Sequence, residues 1–346
     1  MEMTKRFDGR DEPILEPDLP IIDAHHHLFE RPGGGVRYLL DEYLADAKAG
    51  HNIVASVYIE IHAFARKHGP EMLRPLGEIE FANGLGAVAR SGFYGPCRAV
   101  SAIVGYADLR FGDAIGEMFD QAMQLAPERF RGIRQVAMDH PDPAWLNFVT
   151  NPPPKGLLSN PEFRKGLHHL ARHGLSFDAA VFSVQLQDLA KLVDEFPDMP
   201  FILNHIGTML GMGLSAEARA ELLRQALIDM KELARRPNVT CKIGGLGMVQ
   251  WNFGIDENVL PGKALGYREL AEVWKPYVEA AIEAFGPERC MMESNFPIDG
   301  RTCGFVPLWN ALKHIVRDYS ADEKAAMFHR TAARVYRIDL PPELAV

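Results

Sequence analysis

The sequence has few cysteines and no motif that would use them together. Four cysteines occur among the 346 residues, far apart and without a C-x-x-C pair: Cys97, Cys241, Cys290 and Cys303. This spacing argues against a zinc knuckle and against a disulfide framework. We therefore expect reduced, structural thiols. No G-x-S-x-G elbow is present and no cysteine has a plausible histidine partner, which disfavours a serine or cysteine hydrolase.

Long apolar segments and runs of basic residues are also missing. No segment approaches the ~18 apolar residues that a membrane-spanning helix needs, and the polar N-terminus lacks the apolar centre of a secretory signal. The formal net charge of −9 disfavours a nucleic-acid or anionic-membrane partner. Because 47% of the residues are hydrophobic, there is enough apolar material for a full core. These features predict a cytoplasmic protein whose partner is a small molecule.

A short apolar stretch that ends in an acid and three histidines is the most informative feature of the chain. Residues 20–24 read Pro-Ile-Ile-Asp-Ala and run directly into His25, His26 and His27. If this stretch is a buried strand, His25 and His27 point to the same side, because strand side chains alternate with a period of two. The pattern favours a His-x-His site for a metal or for proton transfer. The alternatives are core histidines or the remnant of an affinity tag.

Eight short apolar stretches alternate with longer stretches of helical periodicity. The predicted strands cover residues 20–24, 53–61, 99–106, 132–138, 175–181, 200–203, 239–243 and 290–293. Helical periodicity occurs at residues 38–49, 114–125, 163–173, 184–195, 215–234, 267–284 and 321–336. Buried parallel strands typically read as near-continuous apolar runs. The alternation predicts the α/β class, as a (β/α)8 barrel of the TIM type.

The connections that leave the predicted strands are the long ones, notably residues 139–161 and 246–266. Elaboration at the carboxyl ends of the strands is typical of the face that carries barrel active sites, so we expect these loops to form a rim or lid. The predicted organisation is one barrel domain, an N-terminal arm and a C-terminal tail, at residues 20–338, 1–19 and 339–346.

Ionisable groups at several predicted strand ends supply a candidate metal site. His205 follows the sixth strand, and with His25 and His27 it provides three imidazoles, a set suited to a catalytic zinc when a carboxylate and a water complete it. Glu293 and Asn295 follow the eighth strand and should face the same side. Glu293 is a candidate ligand or general base, whereas an asparagine only forms hydrogen bonds.

Other polar residues at the same ends suggest an anionic substrate. Arg134 is suited to bidentate binding of a carboxylate, and Lys242 offers a point charge for an oxyanion. Asp178 is either a base or an ion-pair partner, and Glu293 could instead pair with Lys242 or Arg134, because buried charges are normally paired. His62 and Arg66, beyond the second strand, are candidates for the binding rim or ordinary surface groups.

One glycine-rich stretch invites a phosphate-loop interpretation that we reject. Residues 244–247 read Gly-Gly-Leu-Gly, but they follow a late predicted strand and lack the complete G-x-G-x-x-G pattern with its acid.

The residues quoted above resemble a known superfamily. The matching segments are Ile22 to Phe29, Arg131 to Arg134, Asn204 to Gly207, Met292 to Pro297 and the closing helix up to Tyr336. They resemble the amidohydrolase superfamily, and most closely the branch that includes 2-pyrone-4,6-dicarboxylate lactonase and sugar lactonases. The resemblance implies a (β/α)8 barrel and hydrolysis of a lactone, ester or amide, with some relatives instead decarboxylating aromatic acids.

The sequence departs from this superfamily at two positions. Asp178 stands where a metal-binding histidine is usual, and Asn295 stands where the superfamily has a catalytic aspartate. An amide cannot accept the proton, so either Glu293 takes that role or the mechanism differs. Some lactonases of this branch work without a metal.

The resulting expectation is a hydrolase that opens a small carboxylated lactone or ester. A divalent metal, zinc in the first instance, is expected on His25, His27 and His205, with metal-independent polarisation of the carbonyl as the alternative. Two other functions remain open: a metal-dependent decarboxylase of an aromatic acid, and a binding barrel without catalysis. A homo-oligomer is compatible with the sequence.

Overall fold

Eight parallel strands form the centre of the molecule. The structure is a computed structural model that describes residues 12–31, 36–149, 151–211, 213–248, 251 and 265–340. In chain order the strands are β1 (Pro20–His26), the hairpin pair β2 (Phe29–Glu30) and β3 (Arg37–Tyr38), β4 (Asn52–Ile59), β5 (Arg98–Gly105), β6 (Phe130–Arg134), β7 (Ser176–Ala179), β8 (Phe201–Leu203), β9 (Val239–Ile243) and β10 (Cys290–Met292). The parallel sheet has the order β1-β4-β5-β6-β7-β8-β9-β10, with each strand next to its successor in sequence.

The two edge strands of this sheet meet just beyond the end of β10. The amide of Asn295 donates to the carbonyl of His25 over 2.9 Å, and the amide of His27 donates to the carbonyl of Phe296 over 2.8 Å. This pairing brings β10 back against β1 and confirms the predicted (β/α)8 barrel.

Helices cover the outside of the barrel. They are α1 (Leu40–Ala47), α2 (Leu76–Arg90), α3 (Gly116–Leu125), α4 (Pro161–Arg172), α5 (Leu186–Asp194), α6 (Ala216–Leu233), α7 (Tyr267–Phe285), α8 (Phe305–Ile315), α9 (Ala321–Ala325) and α10 (Thr331–Tyr336). A π-helical turn, Ala326–Arg330, connects the last two, so the predicted helix 321–336 is divided into three parts.

Helices α2 and α8 were not predicted from the sequence, for different reasons. Helix α2 contains three glycines, which lower helix propensity. One of them, Gly86, lets the helix lie close to β5, because a Cβ there would come within 2.7 Å of the carbonyl oxygen of Val100. Helix α8 is buried on nearly every side, so its sequence has no polar face to mark the helical period.

The barrel interior is filled by small and branched apolar side chains below the polar site. Inward-facing members of this cluster are Ile22, Ala24, Ala55, Val57, Ile59, Ala102, Val104, Ile202 and Met291. Tyr336, the last residue of α10, is fully buried against the same cluster. The polar residues above it therefore lie on a closely packed apolar layer. The low dielectric constant there strengthens their electrostatic interactions.

The arm and the long loops are described only in part. Residues 1–11 of the predicted arm, residues 32–35, residues 341–346 of the predicted tail and most of the loop 246–266 lie outside the described residues. Lys313 on α8 holds the described end of the arm by donating to the carbonyls of Leu15 and Glu16 over 2.9 and 2.8 Å. All four cysteines are buried and free of disulfide bonds. Across the described ranges, no helix combines the length and apolar character needed to cross a membrane.

Candidate metal and catalytic centre

Three histidines and a carboxylate converge at the carboxyl ends of β1, β8 and β10. The ring of His25 lies 4.9 Å from that of His27 and 4.6 Å from that of His205, measured between centroids. Glu293 follows β10 immediately and is completely buried. The structure thus brings together residues that are as far apart in sequence as 25 and 293.

Glu293 lies between two of the imidazoles. Its Oε1 is 2.6 Å from Nδ1 of His205, which donates the hydrogen bond. Its Oε2 lies 3.0 Å from Nδ1 of His25 without hydrogen-bond geometry, so among the described residues this buried oxygen has no donor. A buried carboxylate oxygen without a donor is costly unless a cation compensates it.

The imidazoles of His25 and His27 face each other through their Nε2 atoms. Nδ1 of His27 donates to the carbonyl of Ile59 over 2.8 Å, which leaves its Nε2 unprotonated. That Nε2 is 3.2 Å from Nε2 of His25, close to the ~3.3 Å that separates two nitrogens bound tetrahedrally to one zinc. Burial lowers the pKa of both histidines well below the usual value, and nearby cations lower it further.

The neutral state that this predicts is the one that a metal ligand requires. His25, His205 and Glu293 offer ligand atoms that all lie within 4.8 Å of one another. These three residues therefore fit a divalent cation, whereas His27, which the sequence predicts as a ligand, lies beside the group through its contact with His25. The second oxygen of Glu293 and the facing imidazole nitrogens are the atoms that such a cation would satisfy.

A second buried network holds Asp178 and Lys242 together beside the histidines. Nζ of Lys242 donates to Oδ2 of Asp178 over 2.7 Å, and the hydroxyl of Tyr336 donates to the same oxygen over 2.9 Å. Asn204 adds a third donor at 3.2 Å. Lys242 also lies 3.5 Å from Nδ1 of His25. Of the two alternatives for Asp178, base or ion-pair partner, the structure contains the ion pair.

Arg134 is held by Glu60, a residue that the sequence analysis did not include in the site. Nε of Arg134 donates to Oε1 of Glu60 over 2.6 Å, while NH2 donates to the Glu60 carbonyl over 2.5 Å. The remaining NH1 lies 3.3 Å from Nε2 of His25 and so faces the centre. The position of Glu60 at the end of the second predicted strand was the signal available in the sequence.

His62 and Arg66 lie at different distances from this centre. Nε2 of His62 is 3.5 Å from Oε2 of Glu60, and its ring contacts that of Tyr106 at 4.3 Å. His62 therefore stands on the rim above the pair of Glu60 and Arg134. Arg66 instead pairs with Glu80 on the outer helix α2.

Asn295 is turned towards a carboxyl group that the sequence analysis missed. Its Nδ2 donates to Oδ1 of Asp299 over 2.8 Å, and the amide of Gly247 donates to Oδ2 over 2.9 Å. Burial raises the pKa of Asp299 to about 8, although both hydrogen bonds favour its charged form. The amide of Asn295 thus positions a second buried acid six residues beyond Glu293.

The glycine-rich stretch rejected as a phosphate loop has a steric role. A Cβ on Gly245 would lie 2.4 Å from Nδ1 of His205, and one on Gly244 would lie 2.3 Å from Cγ of Glu293. His205 itself has a φ of 53°, and Ile206 follows with 55°. Such conformations cost energy in non-glycine residues and concentrate at functional sites. The two glycines make room for this strained turn and for Glu293.

An open cavity of about 290 Å³ lies on the rim, between the loop after β6 and the start of α5. Asp139, His140, Lys155, Leu157 and Val184 are among its lining residues. It is thus bounded by one of the loops from which the sequence predicts a rim or lid.

Comparison with known proteins agrees with this geometry. The model of the Amidohydrolase family matches residues 22–338. A protein of Sinorhizobium fredii named "Uncharacterized protein y4mH" is 36% identical over 341 residues, which cover 93% of this chain and 99% of that protein. The L-fucono-1,5-lactonase of Burkholderia ambifaria is 28% identical over 247 residues, covering 70% of this chain and 72% of that protein.

A solved structure shares the fold. The crystal structure of an amidohydrolase from Burkholderia multivorans with bound zinc has a TM-score of 0.69 at 21% identity, with 92% of this chain and 99% of that chain covered. The family model covers residues of all eight barrel strands, including every strand that supplies a residue of the centre. The chain therefore belongs to the amidohydrolase family.

Proposed function

We propose that this protein is a hydrolase that opens a small carboxylated lactone or ester by attack of water on a polarised carbonyl. The observation that carries the proposal is the position of Glu293, whose two oxygens lie 2.6 and 3.0 Å from His205 and His25. The resemblance of the chain to proteins named L-fucono-1,5-lactonase supports the choice of a lactone.

Glu293 is the proton acceptor in this proposal. It is the buried carboxylate that faces the histidines, whereas Asp178 is engaged by Lys242 and Asn295 cannot take up a proton. By accepting from Nδ1 of His205, Glu293 also fixes the tautomer that leaves Nε2 unprotonated. The pair therefore combines an oriented imidazole with a carboxylate that stabilises its protonated form.

Arg134 and Lys242 supply the positive charge. The NH1 group of Arg134 faces the centre, so it is placed to bind the anionic end of the substrate or its developing oxyanion. Lys242 is fully buried beneath His25 and does not contact solvent, so it contributes through its electrostatic field. A divalent metal held by His25, His27 and His205, with Glu293 beside it, would polarise the carbonyl and lower the pKa of water.

The proposal is tested by a lactone panel on purified protein with and without added zinc. The panel includes L-fucono-1,5-lactone, 2-pyrone-4,6-dicarboxylate and matched lactones without a carboxylate, together with aromatic acids assayed for carbon dioxide. We expect ring opening, and a preference for carboxylated substrates.

The matched variants are Glu293→Gln and Glu80→Gln, the second on the exposed face of α2. Removal of the proton acceptor should lower kcat/KM by ~100-fold or more, as expected for loss of a general base, while the surface change leaves it unaltered. Normal turnover in Glu293→Gln would remove Glu293 from the mechanism. Carbon dioxide release without any ring opening would instead favour the decarboxylase alternative.

A further inference from the structure

A cavity of about 210 Å³ opens at the opposite end of the barrel from the catalytic centre. It lies at the amino ends of β5 and β6, where these strands meet the end of α2 and the residues after α10. Five guanidinium groups line it, from Arg90, Arg98, Arg129, Arg131 and Arg337. The carboxylates in the lining are Glu128 and Asp339. This concentration of positive charge stands out in a chain with a formal net charge of −9.

Most of these guanidinium groups are held by neutral partners. Arg131 donates to the carbonyls of Tyr336 and Pro127 over 3.0 and 3.1 Å, and Arg337 donates to the carbonyl of Gly174 over 3.0 Å. Arg129 donates to the side-chain oxygen of Asn83 over 2.8 Å. Carbonyl oxygens orient a guanidinium but leave its charge in place. Arg90 is the exception, because it forms an ion pair with Glu128. Among the described residues the other four guanidinium groups form no ion pair with a carboxylate, so most of the positive charge of the cluster is not neutralised by a direct partner.

Burial, and then repulsion between the arginines of the cluster, lowers the pKa of two of them. Burial, and then the charge of Arg337, lowers the pKa of Arg131. Burial, and then the charge of Arg90, lowers the pKa of Arg129. Because arginine stays protonated in proteins, this repulsion is a standing cost that a bound anion would relieve.

The wall of the cavity also contains strained backbone. Val100 has a φ of 56°, which is a true outlier for a β-branched residue and costs ~1–3 kcal/mol. The strand register shifts at the same place, between the pairs Ala55 with Arg98 and Val57 with Ala102. Gly86 completes the wall, since a Cβ there would lie 2.6 Å from Nε of Arg129. Bulges of this kind commonly re-aim side chains beside binding sites.

We propose that this cavity is a second binding site, for a small oxyanion that carries two or more negative charges. The ligand chemistry is that of a phosphate group or a polycarboxylate, both of which match the planar fork of arginine. The site is separate from the catalytic centre, because its residues come from the amino ends of the strands. One chain of contacts connects them: Arg131 holds the carbonyl of Tyr336, whose hydroxyl holds Asp178.

The full-length protein is titrated with sulfate, phosphate and tricarballylate, by calorimetry and by thermal unfolding, against sodium chloride at equal ionic strength. We expect saturable binding of at least one of these anions, with a higher Tm than in chloride. Binding of sulfate and phosphate alone would assign a tetrahedral oxyanion, and binding of tricarballylate alone would assign a carboxylate ligand; each result supports the site.

Charge variants locate the site. The double variant Arg90→Gln/Arg337→Gln removes two exposed arginines of the cluster and should weaken binding at least ~10-fold, whereas Arg224→Gln on the outer face of α6 should not change it. Glu128→Gln removes a carboxylate and should strengthen binding by ~3-fold or more. This gain remains informative if the double variant fails to fold.

Two results would overturn the proposal. One is the absence of saturable binding of all three anions to the unmodified protein. The other is binding that survives the double variant and is unaffected by Glu128→Gln, but is lost in Glu293→Gln, because that pattern places the anions at the catalytic centre.

Discussion

At the scale of single residues, the absence of a side chain at Gly245 allows the imidazole of His205 to occupy its position. Its φ of 65° is unfavourable for other residues, and a Cβ would collide with the imidazole at 2.4 Å. Replacing Gly245 by Ala should therefore displace His205 and lower kcat/KM for lactone opening by ~100-fold or more, since small misplacements of a reacting group are costly. Steady-state kinetics and urea unfolding measure the two effects.

Gly213 provides the matched control for this prediction. Its φ of 74° is similar, but a Cβ would have no neighbour within 4 Å among the residues that the structure describes. Gly213→Ala should thus show only the backbone cost of ~1–3 kcal/mol in the free energy of unfolding, with kinetics unchanged. Equal kinetics in the two variants would show that the contact with His205 is unimportant.

Glu78 should give the stability of the protein a specific pH dependence. It is buried on α2, where it accepts hydrogen bonds from the hydroxyl of Tyr58 and the amide of Ile61, both over 2.8 Å. Burial, and then the charge of Glu60, raises its pKa from 4.5 to about 8. The folded state therefore holds this proton more tightly than the unfolded state between these two values, so stability falls as the pH rises through this window.

Glu78→Gln tests this dependence, because the amide keeps an oxygen for both donors and cannot ionise. Relative to the wild type, the variant should gain stability as the pH is raised from 5 to 9, by up to ~1.4 kcal/mol per pH unit within the window. Urea unfolding across this range measures it, with Glu80→Gln on the same helix as control. Parallel curves for wild type and Glu78→Gln would contradict the raised pKa.

At the scale of elements, the junction between β1 and β10 depends on Asp23. The amide and hydroxyl of Ser294 donate to its two oxygens over 2.8 and 2.7 Å, and the hydroxyl of Tyr43 donates over 3.2 Å. Asp23 is completely buried and lies two residues before His25 on the same strand. It therefore ties the first strand to the last at the point where the site is assembled.

Asp23→Ala should destabilise the barrel by ~3 kcal/mol, because it leaves several buried donors without an acceptor. Ser294→Ala removes only the hydroxyl and should cost ~1 kcal/mol. The free energy of unfolding in urea distinguishes the two. If Asp23→Ala costs no more than Ser294→Ala, the amide of Ser294 and Tyr43 do not depend on this carboxylate.

The elements that the sequence predicted correctly are those with a simple local signal. β-branched runs marked the strands, and alternation along β1 placed His25 beside His27. Helix α2 was missed because its glycines serve contact with β5 rather than helix formation, and α8 because burial removed its polar face. Both errors come from tertiary contacts that no local pattern encodes.

At the scale of the whole molecule, barrel closure explains which parts of the site the sequence could predict. Strand ends meet at one face of any such barrel, so the convergence of His25, His205 and Glu293 followed from the fold alone. The choice of ion-pair partners did not follow, because it depends on which side chains reach each other across the interior. Arg134 with Glu60, and Lys242 with Asp178, are such pairs.

Metal binding should stabilise the whole fold, because its candidate ligands come from the first strand, the end of the last strand and the turn after β8. A cation that binds only the folded protein adds ~2.7 kcal/mol at a concentration of 100 times its Kd. We therefore expect chelation to lower the Tm, added zinc to restore it, and a His27→Ala/His205→Ala variant to lose this response. Thermal unfolding with metal analysis of the purified protein measures all three. The opposite outcome is a Tm that changes with neither chelator nor zinc, in protein that still opens lactones. That result would mean that side chains rather than a metal polarise the carbonyl, and Arg134, which faces His25, would be the cation that does so.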